Sequence, residues 1–176
     1  MITVLIFGEK DSSFTGFIQK ALRNFGNVSL AGESKIDMSE RCDFLLLEKS
    51  CDTSVAGNNI IALFGQAVKK TLKISGQIIA VVESDNKNAL DILSKNAQKT
   101  VCCSMSSKDT ISIASITDEN AVVSLQREIT DLSGKTVEPH DMKILLSKKT
   151  DPYYICAAYA VLLLSGLAID APSLSF

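Results

Sequence analysis

The sequence predicts an α/β protein with a mostly parallel sheet covered on both faces, a three-layer fold. Three observations carry that prediction. Six short apolar runs bounded by polar turns read as strands. Segments of helical period alternate with several of them, the pattern of βαβ units with right-handed crossovers. The first run, ITVLIF (2–7), is continuously apolar and rich in β-branched residues, as suits a strand buried on both faces.

The elements follow in order. After strand 2–7, Phe14, Phe17, Ile18, Ala21, Leu22 and Phe25 fall at helical spacing, and Gly26 stops the helix. VSLAG (28–32) is a second strand and DFLLLEKS (43–50) a third, followed by a polar loop with Gly57-Asn58-Asn59. IIALF (60–64) is the fourth strand, and residues 65–75 read as a short helix ending near Gly76. QIIAVVESD (77–85) is a fifth strand, 86–97 a helix and KTVCCSM (99–105) a sixth strand. The pattern then changes. Residues 109–147 alternate in strand-like pieces broken by Asp-Glu-Asn and Ser-Gly, which predicts a small antiparallel ribbon of about three strands.

A helix apolar all round closes the chain at 152–165, with Asp151 as cap, Pro152 in its first turn and Gly166 at its end. It is shorter than the ~20 residues a bilayer span needs, so no membrane span is expected. A helix of this kind is buried, either in the core or, as the second choice, against a second copy or a partner protein. The 176 residues contain no Gly/Ser or Pro-rich linker, so a single domain, 1–176, is expected.

Composition excludes some functions. A net charge of -2 without a basic run gives no footprint for nucleic acid. Five cysteines without C-x-x-C spacing, and an N-terminus without the charged and apolar regions of a signal peptide, point to reduced thiols and a cytoplasmic protein. Cys102 and Cys103 are adjacent in a strand, so they face opposite sides and read as packing residues. His140, the single histidine, lies in a loop and reads as solvated. The 106–110 turn and Lys148-Lys149 are candidate anion contacts, with ordinary solvated charges as the simpler reading. No Gly-x-Gly-x-x-Gly is present, which argues against a nicotinamide or flavin site.

The chemistry-bearing stretch is Gly8-Glu9-Lys10-Asp11-Ser12-Ser13, between the first strand and its helix. That is the layout of a phosphate-binding loop. Further on come CDFLLLEKSC (42–51), VVESDNKNAL (81–90), CSMSSKDT (103–110) and DPYYICAAYAVLLLSGL (151–167). In order and spacing these resemble the central, ATP-binding domain of the Mur ligases, along nearly the whole chain. The resemblance implies a fold of the P-loop, Mur-ligase central-domain type. It also implies ATP-dependent joining of a carboxylate to an amine. Nucleotide contacts would come from Gly8, Glu9, Lys10, Asp11, Ser12, Ser13 and Asp85, and magnesium contacts from Ser13 and Glu48.

The departures decide the expected function. The family loop reads Gly-x-x-Gly-Lys-Thr/Ser; here Asp11 replaces the second glycine and Ser12 the lysine. Glu83 replaces the asparagine of the later turn, and the last helix lacks the family's histidine and asparagines. The flanking N- and C-terminal domains of a Mur ligase are expected to be missing. A carboxylate about 4 Å from a phosphate repels it by several kcal/mol at an effective dielectric of ~20. With the neutralising lysine also absent, tight ATP binding is expected to be lost, with neither ATP nor magnesium as cofactor. Asp11 or Ser12 would instead cap the helix. Glu48 reads as a strand-end carboxylate facing solvent or paired with a lysine. No catalytic residue is assigned. The expected function is a non-catalytic binding or regulatory module. The alternatives are a weak nucleotide or anion binder, or one subunit of a split ATP-dependent carboxylate–amine ligase.

Overall fold

The computed structural model describes residues 1–167 and 172–176. In chain order the elements are β1 (Ile2–Phe7), α1 (Ser12–Arg23), β2 (Val28–Ala31), β3 (Ile36–Asp37), β4 (Phe44–Lys49), β5 (Thr53–Ala56), β6 (Ile60–Phe64), β7 (Leu72–Ser75), β8 (Ile78–Glu83), α2 (Lys87–Asn96), β9 (Lys99–Ser104), β10 (Ile111–Ile116), β11 (Asn120–Leu125), β12 (Ile129–Thr130), β13 (Thr136–Val137), β14 (His140–Leu145), α3 (Pro152–Leu164) and β15 (Ser173–Ser175).

Eleven strands form one sheet in the order β15-β14-β11-β10-β9-β8-β6-β1-β4-β2-β3. The opening strand lies inside its parallel part: Val4 pairs in register with Leu46 of β4 on one side and Ile61 of β6 on the other. Buried on both faces, β1 uses alternate residues for two cores. Val4 and Ile6 face the layer of α1 and α3; Leu5 and Phe7 face the layer that contains α2. The antiparallel ribbon is present as β10, β11 and β14.

α3 is core. Ten consecutive residues, Ile155 to Leu164, are no more than 3% exposed, because the helix is packed against α1 and against β6, β8, β9 and β10. Among the described residues no helix is long and apolar enough to cross a membrane.

Three expectations are corrected here. Residues 65–75 are not a helix. The stretch before β7 is irregular, and its carbonyls at Gly65 and Ala67 accept hydrogen bonds from Asn86 Nδ2 (2.8 Å) and the Glu9 amide (2.7 Å). Leu72-Lys73-Ile74-Ser75 then alternates with period two, burying Leu72, and pairs in parallel with β5, which lies in the segment expected to be a polar loop. The β5–β7 ribbon covers the sheet where a polar loop and a single crossover helix were expected, with Leu72, Val55 and Ile74 packed on the α2-side core. Just past the two strands their backbones approach closely: a Cβ on Gly76 (φ +128°) would lie 2.2 Å from the Gly57 carbonyl oxygen.

His140 is also not a free loop residue. It opens β14, its Nδ1 lies 2.7 Å from the Glu138 carbonyl oxygen and its Nε2 2.7 Å from the hydroxyl of buried Tyr159. Cys103 packs in the α3-side core and Cys102 against the opposite one, as adjacent strand residues must. Burial pushes the Cys102 thiol up.

Candidate functional site

The candidate site lies at the carboxyl ends of the parallel strands, where ligands bind in open α/β sheets. It has two parts.

The first is the turn from β1 into α1. Gly8 has φ +151°, a conformation open to glycine, and a side chain there would press within 3.1 Å of the Ala67 carbonyl oxygen. The first two amides of the turn are committed to the protein. Gly8 N–H donates to the Lys49 carbonyl (3.1 Å) and Glu9 N–H to the Ala67 carbonyl (2.7 Å). Asp11, in extended conformation, is the N-cap of α1, and its Oδ1 accepts from the amides of Ser13 (2.9 Å) and Phe14 (3.1 Å). Its other oxygen, Oδ2, accepts from the Tyr154 hydroxyl at the start of α3. Burial, with the Asp11 hydrogen bond and charge adding to it, pushes the Tyr154 phenol well above its ordinary value, so it remains a donor. The carboxylate therefore stands where amides at a helix N-terminus would receive an anion. It has three donors and the favourable end of the helix dipole.

The remaining loop residues point elsewhere. Lys10 Nζ donates to Ser34 Oγ (2.6 Å) at the surface, and Glu9 pairs with Lys69 (2.5 Å) in solvent. Ser12 and Ser13 are exposed.

Glu48 corrects an expectation. It neither faces solvent nor pairs with a lysine: it is only 9% exposed and accepts from the hydroxyl of Thr15 in α1 at 2.7 Å. Gly32 makes room for it, since a Cβ there would lie 2.8 Å from Glu48 Oε2. The other residues of that motif are likewise occupied. Asp43 accepts from the Asn27 backbone amide (2.8 Å) and side-chain amide (3.0 Å), which hold its carboxyl below the usual range. Ser50 donates twice to Glu33.

The second part is a crevice of about 530 Å³ at the ends of β8 and β9. Glu83, Asp85 and Asp151 line it, with Ser104, Ser106 and Tyr153. Burial first, then the charges of Asp151 and Asp85, push the Glu83 carboxyl up, while a hydrogen bond from Gln66 opposes the shift. Tyr153 holds the crevice to the sheet. Its buried hydroxyl donates toward the carbonyls of Phe64 (2.5 Å) and Val81 (3.2 Å), at the carboxyl ends of β6 and β8. Among the described residues, no group of three or more His, Cys, Asp or Glu is arranged to hold a metal.

Of the residues singled out from sequence, Gly8 through Ser13 come together in the turn, while Asp85 lies in the crevice. Sequence reasoning had Asp151 only as a cap, which it is, through a 2.8 Å bond from the Tyr153 amide; its place in the crevice was missed. So were Tyr153 and Tyr154. The available signal was two phenols opening an otherwise apolar helix, where buried hydroxyls need partners.

No family model matches the chain, and no curated protein matches it. Solved structures do. A crystal structure of MurF from Acinetobacter baumannii aligns with a TM-score of 0.60 at 10% identity, covering 96% of this chain and 43% of that one. MurF ligase from Thermotoga maritima, solved in complex with ADP, aligns with a TM-score of 0.56 at 12% identity, covering 96% and 46%. The UDP-N-acetylmuramoylalanyl-D-glutamyl-2,6-diaminopimelate–D-alanyl-D-alanyl ligase of Acinetobacter baumannii aligns at 0.60 and 8%, covering 97% and 44%. The chain spans less than half the length of these structures. At such identities the likeness is one of architecture: the chain has a Mur-ligase-like α/β fold of the central-domain type, with a mostly parallel sheet and a small antiparallel ribbon.

Proposed function

We propose that this protein is a non-catalytic Mur-ligase-like domain that acts as a binding or regulatory module in a reducing compartment. One observation carries the reading. The Asp11 carboxylate takes the Ser13 and Phe14 amides in the first turn of α1 and the Tyr154 hydroxyl, so the helix start already holds an anion of the chain's own. A triphosphate would have to displace that carboxylate and then face it, with no lysine from the loop to neutralise it. The acidic crevice at Glu83, Asp85 and Asp151 acts in the same direction on a nucleotide. Five cysteines without a disulfide fit a reducing compartment.

The test is calorimetric titration and thermal unfolding with ATP or ADP and magnesium. The expected outcome is neither heat nor a shift at millimolar nucleotide, since a ligand at 100 times its dissociation constant stabilises by about 2.7 kcal/mol. Asp11→Gly combined with Ser12→Lys removes the internal anion and supplies a cation, and should produce measurable nucleotide affinity. ATP binding that shifts the amides of the Gly8–Ser13 turn, or ligase turnover by the unaltered protein, would overturn the proposal.

A further inference from the structure

A groove of about 340 Å³ begins at Ser12 and Ser13, on the exposed side of the turn, and runs along α1 to the loop at 147–151. Its rim is cationic: Lys20, Lys148 and Lys149 line it, and none of them takes part in an ion pair among the described residues. Its wall is aromatic. Phe17 and the half-buried Tyr154 line it, with ring centroids 6.2 Å apart, and Tyr154 packs against Phe14 at 4.9 Å with the rings tilted by 40°. Gly16, which has nothing within 4 Å of where a side chain would start, leaves the entrance open.

The groove is held in shape before any ligand arrives. Lys20 Nζ donates to Ser147 Oγ at 2.8 Å, tying the loop to the helix, and Thr150 Oγ1 donates to the Lys148 carbonyl at 2.9 Å, fixing the loop's turn. Lys20 keeps two further N–H donors for a ligand. Asp151, whose carboxylate accepts from the Tyr153 amide, is the single acid on the groove's lining and faces three lysines there. The volume falls in the range of small-molecule sites, which combine apolar walls with a few convergent polar groups.

We infer that this groove binds a small organic oxyanion, a phosphate or carboxylate, carrying an aromatic or other flat apolar body. The body lies against Phe17 and Tyr154, and the lysines receive the charge. The inference rests on reading the chain as a binding module and names the class of ligand it binds.

The experiment is an amide NMR titration of the protein with phenyl phosphate, benzoate and inorganic phosphate. Saturable shifts are expected at Gly16, Phe17, Lys148 and Thr150. Tighter binding of phenyl phosphate marks a phosphate ligand and tighter binding of benzoate a carboxylate; either upholds the inference. Inorganic phosphate, which leaves the aromatic wall unused, should bind about tenfold more weakly than the tighter aryl probe. Lys148→Glu with Lys149→Glu alters exposed side chains only and should weaken that probe at least tenfold, about 1.4 kcal/mol, with shifts elsewhere unchanged. The inference is overturned if no groove amide shows saturable shifts, if inorganic phosphate binds as tightly as the aryl probes, or if the double variant binds normally. ATP seated at Gly8 would sink the functional proposal alone; failure of the aryl probes would sink this inference alone.

Discussion

The turn at Gly8–Ser13 follows β1 and the crevice at Glu83–Asp85 follows β8, with β6 between them in the sheet; both place carboxylates at the ends of parallel strands, yet they treat that charge in opposite ways. Asp11 is surrounded by donors: two amides, a phenol and a helix N-terminus. Glu83 is half-buried and faces two other carboxylates, with only Gln66 to help it. A carboxylate at a strand end is therefore neither stabilising nor destabilising by itself. The number of hydrogen-bond donors aimed at it decides the sign. The same contrast separates a site that is already filled from one that is merely lined.

The sharpest way to break the comparison is at Asp11. Replacing it by alanine removes a helix cap and leaves the Tyr154 hydroxyl without its acceptor, so about 2 kcal/mol should be lost in urea unfolding. Asp11→Asn keeps an acceptor for the cap and should lose less than half of that. Tyr154→Phe should lose about 1 kcal/mol. Because Asp11 and Tyr154 share a bond, the double variant should cost less than the sum of the two single ones. Strict additivity would show that the phenol does not hold the carboxylate in the turn.

A smaller effect of opposite sign is expected at Glu83. Its folded-state pKa lies above the ordinary carboxylate value, so below that ordinary value both states are protonated and nothing is gained or lost. As pH rises from there through the raised folded value, the unfolded chain ionises freely while the folded one resists. Stability is lost over that window and stays lost at neutral pH. Glu83→Gln should therefore stabilise the protein near pH 7 by on the order of 0.5 kcal/mol, a modest figure because a half-buried charge is partly screened. The gain should vanish in acid. A substitution that destabilises at pH 7, or whose gain is independent of pH, would place Glu83 with Asp11 among the satisfied carboxylates.

How much of this could be read in the sequence depends on how local each interaction is. β1 announced itself by a six-residue run in which five residues are apolar and the sixth is Thr3, and the Asp11 cap reaches only two and three residues ahead. The partners that give the turn its character are distant: Tyr154 is 143 residues from Asp11, and Thr15 is 33 from Glu48. No periodicity encodes such contacts. β7 was misread because a four-residue strand, preceded by a stretch whose carbonyls serve other elements, carries too little pattern to outvote its helix-forming lysines and alanine. β15 is shorter still; its three residues are a strand only because β14 offers an edge in register at Lys143–Leu145.

The smallest effect is the one expected at Lys10, and it tests the comparison from the other side. Lys10 is the loop's own cation, and a phosphate-binding turn would need it close to Asp11. Instead its ammonium group rests on Ser34 at the surface. An exposed contact of that kind contributes little, so Lys10→Ala should change stability by no more than about 0.5 kcal/mol. It should also leave the response to nucleotide unchanged, because the charge it removes does not reach the turn. If the alanine variant instead destabilised the protein as much as Asp11→Ala, Lys10 would have to be neutralising Asp11 in solution. The carboxylate would then owe its stability to a mobile side chain rather than to the amides of α1. The turn would also regain the cation that a phosphate requires.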